Sequence, residues 1–549
     1  MTTKRILIAI AVIGALIAGA LVYASTRPLI PAAKLQPDLD PANATPAEWR
    51  AQAKRVLDEI ETVARILPED TPQQVRQRDT SLHLASLLSV RLGDVKRTLS
   101  LLGEISDTTE QSRVLRAVCF EPAATGQTET VAELLAAAWT DKDAAKITSA
   151  LAFAYARANA PQVAENVLAD PRFQSDELDR IDPNRRLMPL GEIADAYART
   201  GKHDEAKRIA REAERILIFE EDPRIRHLRQ MNIAEMYIAG RDPDSALRII
   251  DDATDGFRVE ELLSDIAKVQ AVQQDLEAAA QTRGRIENLF LRAYACTYPA
   301  ADHAQSGRTE IARGLFAEAD RISEGLTSTI DRFFMLVHMT EYRHKGGLHD
   351  DANATADRAL NLLAEYPASP AKATELCRLL EVQIEADQAE SSRALLELII
   401  DVFETSDPSL RHEYSLENRL ASAAAALGLD QDAELRFAAA TAAAMSEEDL
   451  SARIERLRRI AMTQTEHGRV ENASQTFALA LAALSELEPA EAARSVKQLS
   501  RALAEAGRVT VAIDIAGTVA DPFERVMALE AAGSILAFKA ERIERGAAN

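Results

Sequence analysis

The sequence predicts an all-α fold, an α-solenoid of stacked helical hairpins preceded by a single N-terminal transmembrane helix. Three observations predict it. Of 549 residues, 47% are hydrophobic but only 5% aromatic. Alanine and leucine supply most of the apolar content and, with Glu, Arg and Gln, form helices readily; no apolar/polar alternation runs long enough for a strand. Second, one spacing of small residues recurs along most of the chain. Third, three joints share the pattern Asp-Pro-x-x-Arg, at Asp222, Asp407 and Asp521, where Asp suits a helix N-cap and Pro the first helical position.

In chain order, residues 1–5 form a short cytoplasmic N-terminus carrying Lys4 and Arg5. Ile6 to Ala24, "ILIAIAVIGALIAGALVYA", holds 19 residues without a charge. As a helix at ~1.5 Å per residue it spans about 28 Å, close to a bilayer's hydrocarbon core. The basic residues before it place the N-terminus inside and the body of the chain across the membrane. A cleavable signal ending at Val22-Tyr23-Ala24 is the alternative. Residues 25–46 carry five prolines, Pro28, Pro31, Pro37, Pro41 and Pro46. At that density an extended, semi-rigid spacer is expected, with a reach of roughly 60 Å. Helices are expected from Pro46 or Trp49.

Residues 47–146 read as a helical region of degenerate repeats, with weak copies near Gly93 and Gly126. Residues 147–522 form the array proper. In "IAMTQTEHGRVENASQTFALA", Ile460 and Ala461 are followed by Gln464, Gly468, Ala473, Phe477 and Ala480. Ile193, Ala194, Tyr197, Gly201, Ala206, Ala210 and Ala213 repeat those intervals, as do Leu420, Ala421, Ala424, Gly428, Ala433, Phe437 and Ala440. Apolar residues three and four apart mark one helix face. A glycine that takes positive φ ends the first helix. Small residues fall where helices cross closely. The small residue after the turn recurs at Ala164, Ala206, Ala246, Ala279, Ala312, Ala352, Ser392, Ala433, Ala473 and Ala512, with gaps of 42, 40, 33, 33, 40, 40, 41, 40 and 39 residues. Residues 523–549, rich in charge, read as a helix capping the open end.

This pattern resembles the tetratricopeptide repeat family, whose hairpins carry a Gly at the turn, then Ala, an aromatic and Ala on the second helix. Most units here run about six residues longer than that family's 34. The resemblance implies an interaction scaffold whose first helices line a peptide groove. At the outward positions of the last units stand Arg458, Met462, Arg494, Lys497 and Arg501. They make a basic strip suited to an acidic or C-terminal carboxylate peptide. The plainer reading pairs these cations with Glu455, Glu466 and Glu505.

Chemistry is sparse. The formal charge of −22 weighs against nucleic acid as a partner. No P-loop, GxSxG or HExxH stands in the chain, and no GxGxxG opens a strand–helix unit. A lysozyme-like lytic domain would show a Glu-Ser start and a "GLMQ"-like stretch; the C-terminal segment keeps the repeat spacing to its end and has neither. His338, His344 and His349 lie six and five apart, not at the i, i+3 or i, i+4 spacing of helical metal ligands. Cys119, Cys296 and Cys377 have no close neighbours and read as buried filler. Cys296 and Cys377 sit two hairpins apart, too far for a disulfide. The expectation is therefore a non-enzymatic, membrane-anchored scaffold at the inner membrane with its repeats in the periplasm. It needs no cofactor and holds a protein or peptide partner. A periplasmic binding protein released by signal cleavage, or an envelope enzyme with a cryptic site, are the alternatives.

Overall fold

The computed structural model describes residues 35, 37–106, 108–124, 130–131, 133–134, 144–169, 184–217, 222–251, 256–364, 366–406 and 414–548. The Ile6–Ala24 segment, the cleavage site, the Gly126 copy and the Asp407 joint lie outside them. Every helix and turn described agrees with an all-α chain, with no strand among the described residues. Among those residues no helix is long and apolar enough to cross a membrane.

The hairpin register is observed throughout. All ten small register residues, from Ala164 to Ala512, have no exposed surface, because each sits where its second helix crosses the first. Five residues before each lies the turn, and all ten turn residues have positive φ. Each turn closes the same way. At Gly201, its own N–H donates to the Ala198 carbonyl at 2.9 Å and the Lys202 N–H to the Tyr197 carbonyl at 2.8 Å, the pair that satisfies the last helical carbonyls. Gly93, φ 76°, makes the same bonds from Gly93 to Val90 and Asp94 to Ser89. Thr98, five residues on, is fully buried, so that weaker copy is a hairpin too.

From Ala206 onward, unit length follows the second helix. Where the gap is 33, the second helices are short, Pro243–Ile250 with 8 residues and Leu276–Gly284 with 9. Where it is 39 to 41, they reach 15 to 17, as in His203–Leu217 and Ala389–Thr405; the 42-residue gap after Ala164 is the exception, its second helix Pro161–Leu168 having only 8 residues. The Asp-Pro-x-x-Arg joints work as caps and more. Asp222 accepts from the Arg224 and Ile225 N–H groups, and Asp521 from Glu524 at 2.9 Å. The arginine staples the incoming chain: Arg525 donates Nε and Nη2 to the Val519 carbonyl at 3.2 and 2.9 Å. Arg453, four residues after its own Asp449 cap, does the same to Glu447 at 2.8 and 2.6 Å.

The helices divide into two compact units. One, residues 115–366, holds six hairpins from Ala144–Arg157 with Pro161–Leu168 to Thr329–Lys345 with His349–Ala364. First helix packs on first helix along the row. The other, residues 1–114 and 367–549, holds four hairpins from Pro370–Glu385 with Ala389–Thr405 to Pro489–Glu505 with Val509–Gly517.

In this second unit the expected cap over an open end is not what is found. The Pro522–Ala548 helix stacks on Pro489–Glu505, as a first helix should, and its other face is covered by Pro46–Arg65 and Pro72–Arg91. Pro46–Arg65 takes the place of the second helix. Its Ala53, Leu57 and Ile60, all buried, repeat the spacing of Ala473, Phe477 and Ala480. The row then continues with Pro72–Arg91 and Val95–Gly103. One hairpin is thus assembled from helices that no turn connects. Trp49 is fully buried there beneath the Lys539 ammonium, 5.3 Å from its ring centre. Arg50 meets Glu544 through two bonds of 2.5 and 2.6 Å.

The expected spacer also shortens. Leu35 is fully buried and Leu39 nearly so. The Asp38 and Leu39 N–H groups donate to the Gly507 carbonyl at 2.7 and 3.1 Å. Arg508, itself 1% exposed, fastens this strap. It donates to the carbonyls of Leu35 at 2.9 Å and Val470 at 3.0 Å and to Ser474 Oγ at 2.8 Å, and lies 5.2 Å from the Phe477 ring centre. No carboxylate joins it among the described residues, and burial pulls its guanidinium down to about 10. Hence Leu35 and residues 37–45 dock on the hairpins instead of standing free. The helix they lead into starts at Pro46, where Thr45 and Glu48 form a reciprocal capping box.

Candidate functional groove

First helices carry their core residues on two faces, one toward their own second helix and one toward the neighbouring hairpin. What remains is an outward face. In the 115–366 unit these faces form a groove of three cavities, each about 330 to 350 Å³. The cavities are contiguous: Ala239 lines the first and third, Glu235 the second and third, and Asp265, Lys268 and Tyr294 the first and second.

One end is aromatic. Tyr294 and Tyr298 stand one turn apart on Leu289–Gln305, and Tyr342 reaches them from Thr329–Lys345. The Tyr294 and Tyr342 hydroxyls are 3.3 Å apart and the rings meet edge-on at 6.2 Å. Tyr298 packs edge-on against Tyr342 at 6.5 Å, yet 49% of it faces solvent. Lys268 places its ammonium 4.3 Å from the Tyr294 ring centre and 2.9 Å from Asp265. His338 closes this end, edge-on to Tyr294 at 5.6 Å; burial keeps its imidazole below the usual range.

The other end is acidic over a thioether floor. It is walled by Phe153, Met188, Gly191, Glu192, Asp195 and Glu235. Met188 is 57% exposed, and a Cβ on Gly191 would come 3.3 Å from the Met236 methyl. Asp195 is taken by Arg199 and Glu235 by Arg258 at 2.7 Å. Glu192 forms no ion pair among the described residues, nor does Glu261 in the middle cavity. Burial pushes the Glu235 carboxyl up, against the pull of Arg258, and the nearby Asp265 and Glu261 charges push the same way.

None of the five sequence-predicted site residues lines this groove. They stand on adjacent first helices of the other unit. Arg458 is held by Glu455 at 2.7 and 2.8 Å and Met462 is half-buried. Arg494 and Arg501 are exposed and Lys497 half-exposed, and none of the three forms an ion pair among the described residues. So one expected pairing, with Glu455, is present, and the rest of the strip is open.

His344 and His349 bring their Nδ1 atoms within 3.1 Å of each other. No group of three or more His, Cys, Asp or Glu residues is arranged to hold a metal among the described residues. The three cysteines are free and buried, and burial pushes their thiols up to about 12.

No family model matches the chain, and no curated protein matches it. Among solved structures, one described as a circular tandem repeat protein with novel repeat topology and enhanced subunit contact surfaces is 12% identical. It covers 92% of this chain and 100% of its own, at a TM-score of 0.15, too low to carry any argument. What stands of the family resemblance is its coarser content, an all-helical tandem repeat.

Proposed function

We propose that the protein is a non-enzymatic scaffold that holds a segment of a partner protein in the groove of residues 115–366, tethered by Ile6–Ala24 to the inner membrane with its repeats in the periplasm. The observation that carries the binding role is the continuity of the groove. Three cavities share lining residues across successive first helices, and large apolar side chains, Met188 and Tyr298, are left facing solvent inside it. Solvent-facing apolar groups gathered in a cleft mark a binding surface. The tether rests on the uncharged stretch after Lys4 and Arg5.

Site-specific photo-crosslinking in the native cell tests both parts. A crosslinker at Met188 or Tyr298 should capture the same partner, in the membrane fraction, and Gly191→Leu should abolish it. Asp204 and Glu310, on second helices, are the control positions. Equal capture from groove and control positions would reject the groove, and intact chain in the soluble fraction would reject the tether. The open strip of Arg494, Lys497 and Arg501 favours a second surface for an acidic segment. Arg494→Glu with Arg501→Glu should then remove a different crosslink and spare those in the groove.

A further inference from the structure

We infer that the groove's occupant is a basic, apolar-flanked segment, with an arginine or lysine side chain seated between Glu192 and Glu235 and a flanking apolar residue laid on Tyr298. This rests on the scaffold reading of the groove. Three features carry it. The acidic cavity is lined by three carboxylates, Glu192, Asp195 and Glu235, and by no cation. Two of the three are engaged from outside by Arg199 and Arg258, so Glu192 stands there without an ion-pair partner among the described residues, as Glu261 does next along. An arginine or lysine would supply the charge-assisted hydrogen bonds these carboxylates otherwise make to water.

The aromatic end shows what its rings accept. Lys268 already lies over Tyr294 at 4.3 Å, whereas the half-exposed Tyr298 has no cation over it among the described residues. Its open face offers stacking to an apolar or guanidinium group. The cavity floor of Met188 and Met236 suits an aliphatic stem, since thioether chains adapt to irregular shapes. A formal charge of −22 draws a basic segment toward the surface before it docks. Burial is the main cause that raises the Glu235 carboxyl, and the nearby Asp265 and Glu261 charges add to it.

The test uses the full chain and three fluorescein-labelled 12-residue peptides of identical apolar content, carrying four Arg, four Gln or four Glu, followed by anisotropy. The Arg peptide should bind about tenfold tighter than the Gln peptide. Glu192→Gln with Glu261→Gln should bring the two within about twofold, while Asp204→Asn with Glu310→Gln, an equal change of charge on second helices, should leave the ratio intact. Gly191→Leu, which fills the acidic cavity without altering charge, should weaken every peptide that binds. If the Gln or Glu peptide binds as tightly as the Arg peptide and Gly191→Leu blocks it, the groove stands and the basic occupant is wrong. If the control pair erases the ratio as fully as the groove pair, the attraction is that of any polyanion and the inference falls. If Gly191→Leu changes nothing, both the groove and its occupant are rejected.

Discussion

The turns offer a perturbation with opposite signs at matched positions. All ten array turns put one residue in the left-handed region, but only six use glycine; Asn159, Arg241, Gln274 and Asp387 hold φ between 55° and 70°. A side chain there costs roughly 1–2 kcal/mol. Removing a glycine recovers about 0.4–1 kcal/mol through the unfolded chain. At Gly307 an added Cβ meets nothing within 4 Å, so no steric contribution enters, and Gly307→Ala should destabilise its hairpin by about 0.5–1 kcal/mol. Gln274 is exposed, so Gln274→Gly should stabilise its hairpin by a similar amount. Gly507 differs in kind. Its Cβ would run into the Leu39 carbonyl oxygen, so Gly507→Ala should also expel the strap and cost more than the other two. Stacked repeats open locally rather than all at once, so the assay is hydrogen exchange resolved by helix. About 1 kcal/mol appears as a roughly fivefold change in protection, confined to the flanking helices. Equal and same-signed shifts for Gly307→Ala and Gln274→Gly would refute the conformational account of the turns.

Trp49→Ala, emptying the centre of the unconnected hairpin, should cost about 3–5 kcal/mol. Exchange should rise in Pro522–Ala548 before it rises in Pro370–Glu385, and uniform loosening of both would argue against a seam there. Acidification should weaken the fold at three histidines, His338, His344 and His467. Burial is the main cause lowering each of them, opposed by Glu341 at His338 and aided by His349 and Arg469 at the other two. A lowered folded value means that the contribution is present above the unfolded value of about 6.5 and is lost as pH falls below it. His344→Asn with His467→Asn should therefore lose less stability than the parent between about pH 7.5 and pH 5.5, measured by urea midpoints. An unchanged or larger loss would refute it.

The hairpin register was legible because a small residue at a helix crossing cannot be exchanged for a large one without separating the helices. Ala206 and Ala473 had to be small, and both are fully buried. The four non-glycine turns were not legible, since Arg241 or Gln274 carries no mark of positive φ when the surrounding hydrogen bonds impose it. The partnership of Pro46–Arg65 with Pro522–Ala548 was equally hidden. Its register residues Ala53, Leu57 and Ile60 follow the repeat spacing, but no turn lies before them, so nothing local says which helix they face. The basic strip on the last first helices is legible because its cations are conspicuous in an acidic chain. A groove of cavities also runs past Tyr294 and Tyr298, one turn apart, where they meet Tyr342. Its only mark in the sequence is the aromatic pair in a chain with 5% aromatic residues.

The strap changes what a membrane tether would do. Were residues 25–46 a free spacer, the array would range over some 60 Å. With Leu35 buried and held through Arg508, only residues 25–34 remain between the uncharged segment and the fold, a reach of about 30 Å when extended. An anchor at Ile6–Ala24 would then keep the hairpin bearing Arg508 within that distance of the bilayer. The buried guanidinium is what enforces this. It satisfies carbonyls on both strap and hairpin at once, and no carboxylate pairs with it among the described residues, so losing the strap would leave its Nε–H without an acceptor in the core. Removing one partner from such a site costs more than the bond alone is worth, so release of the strap should also loosen the hairpin that bears Arg508.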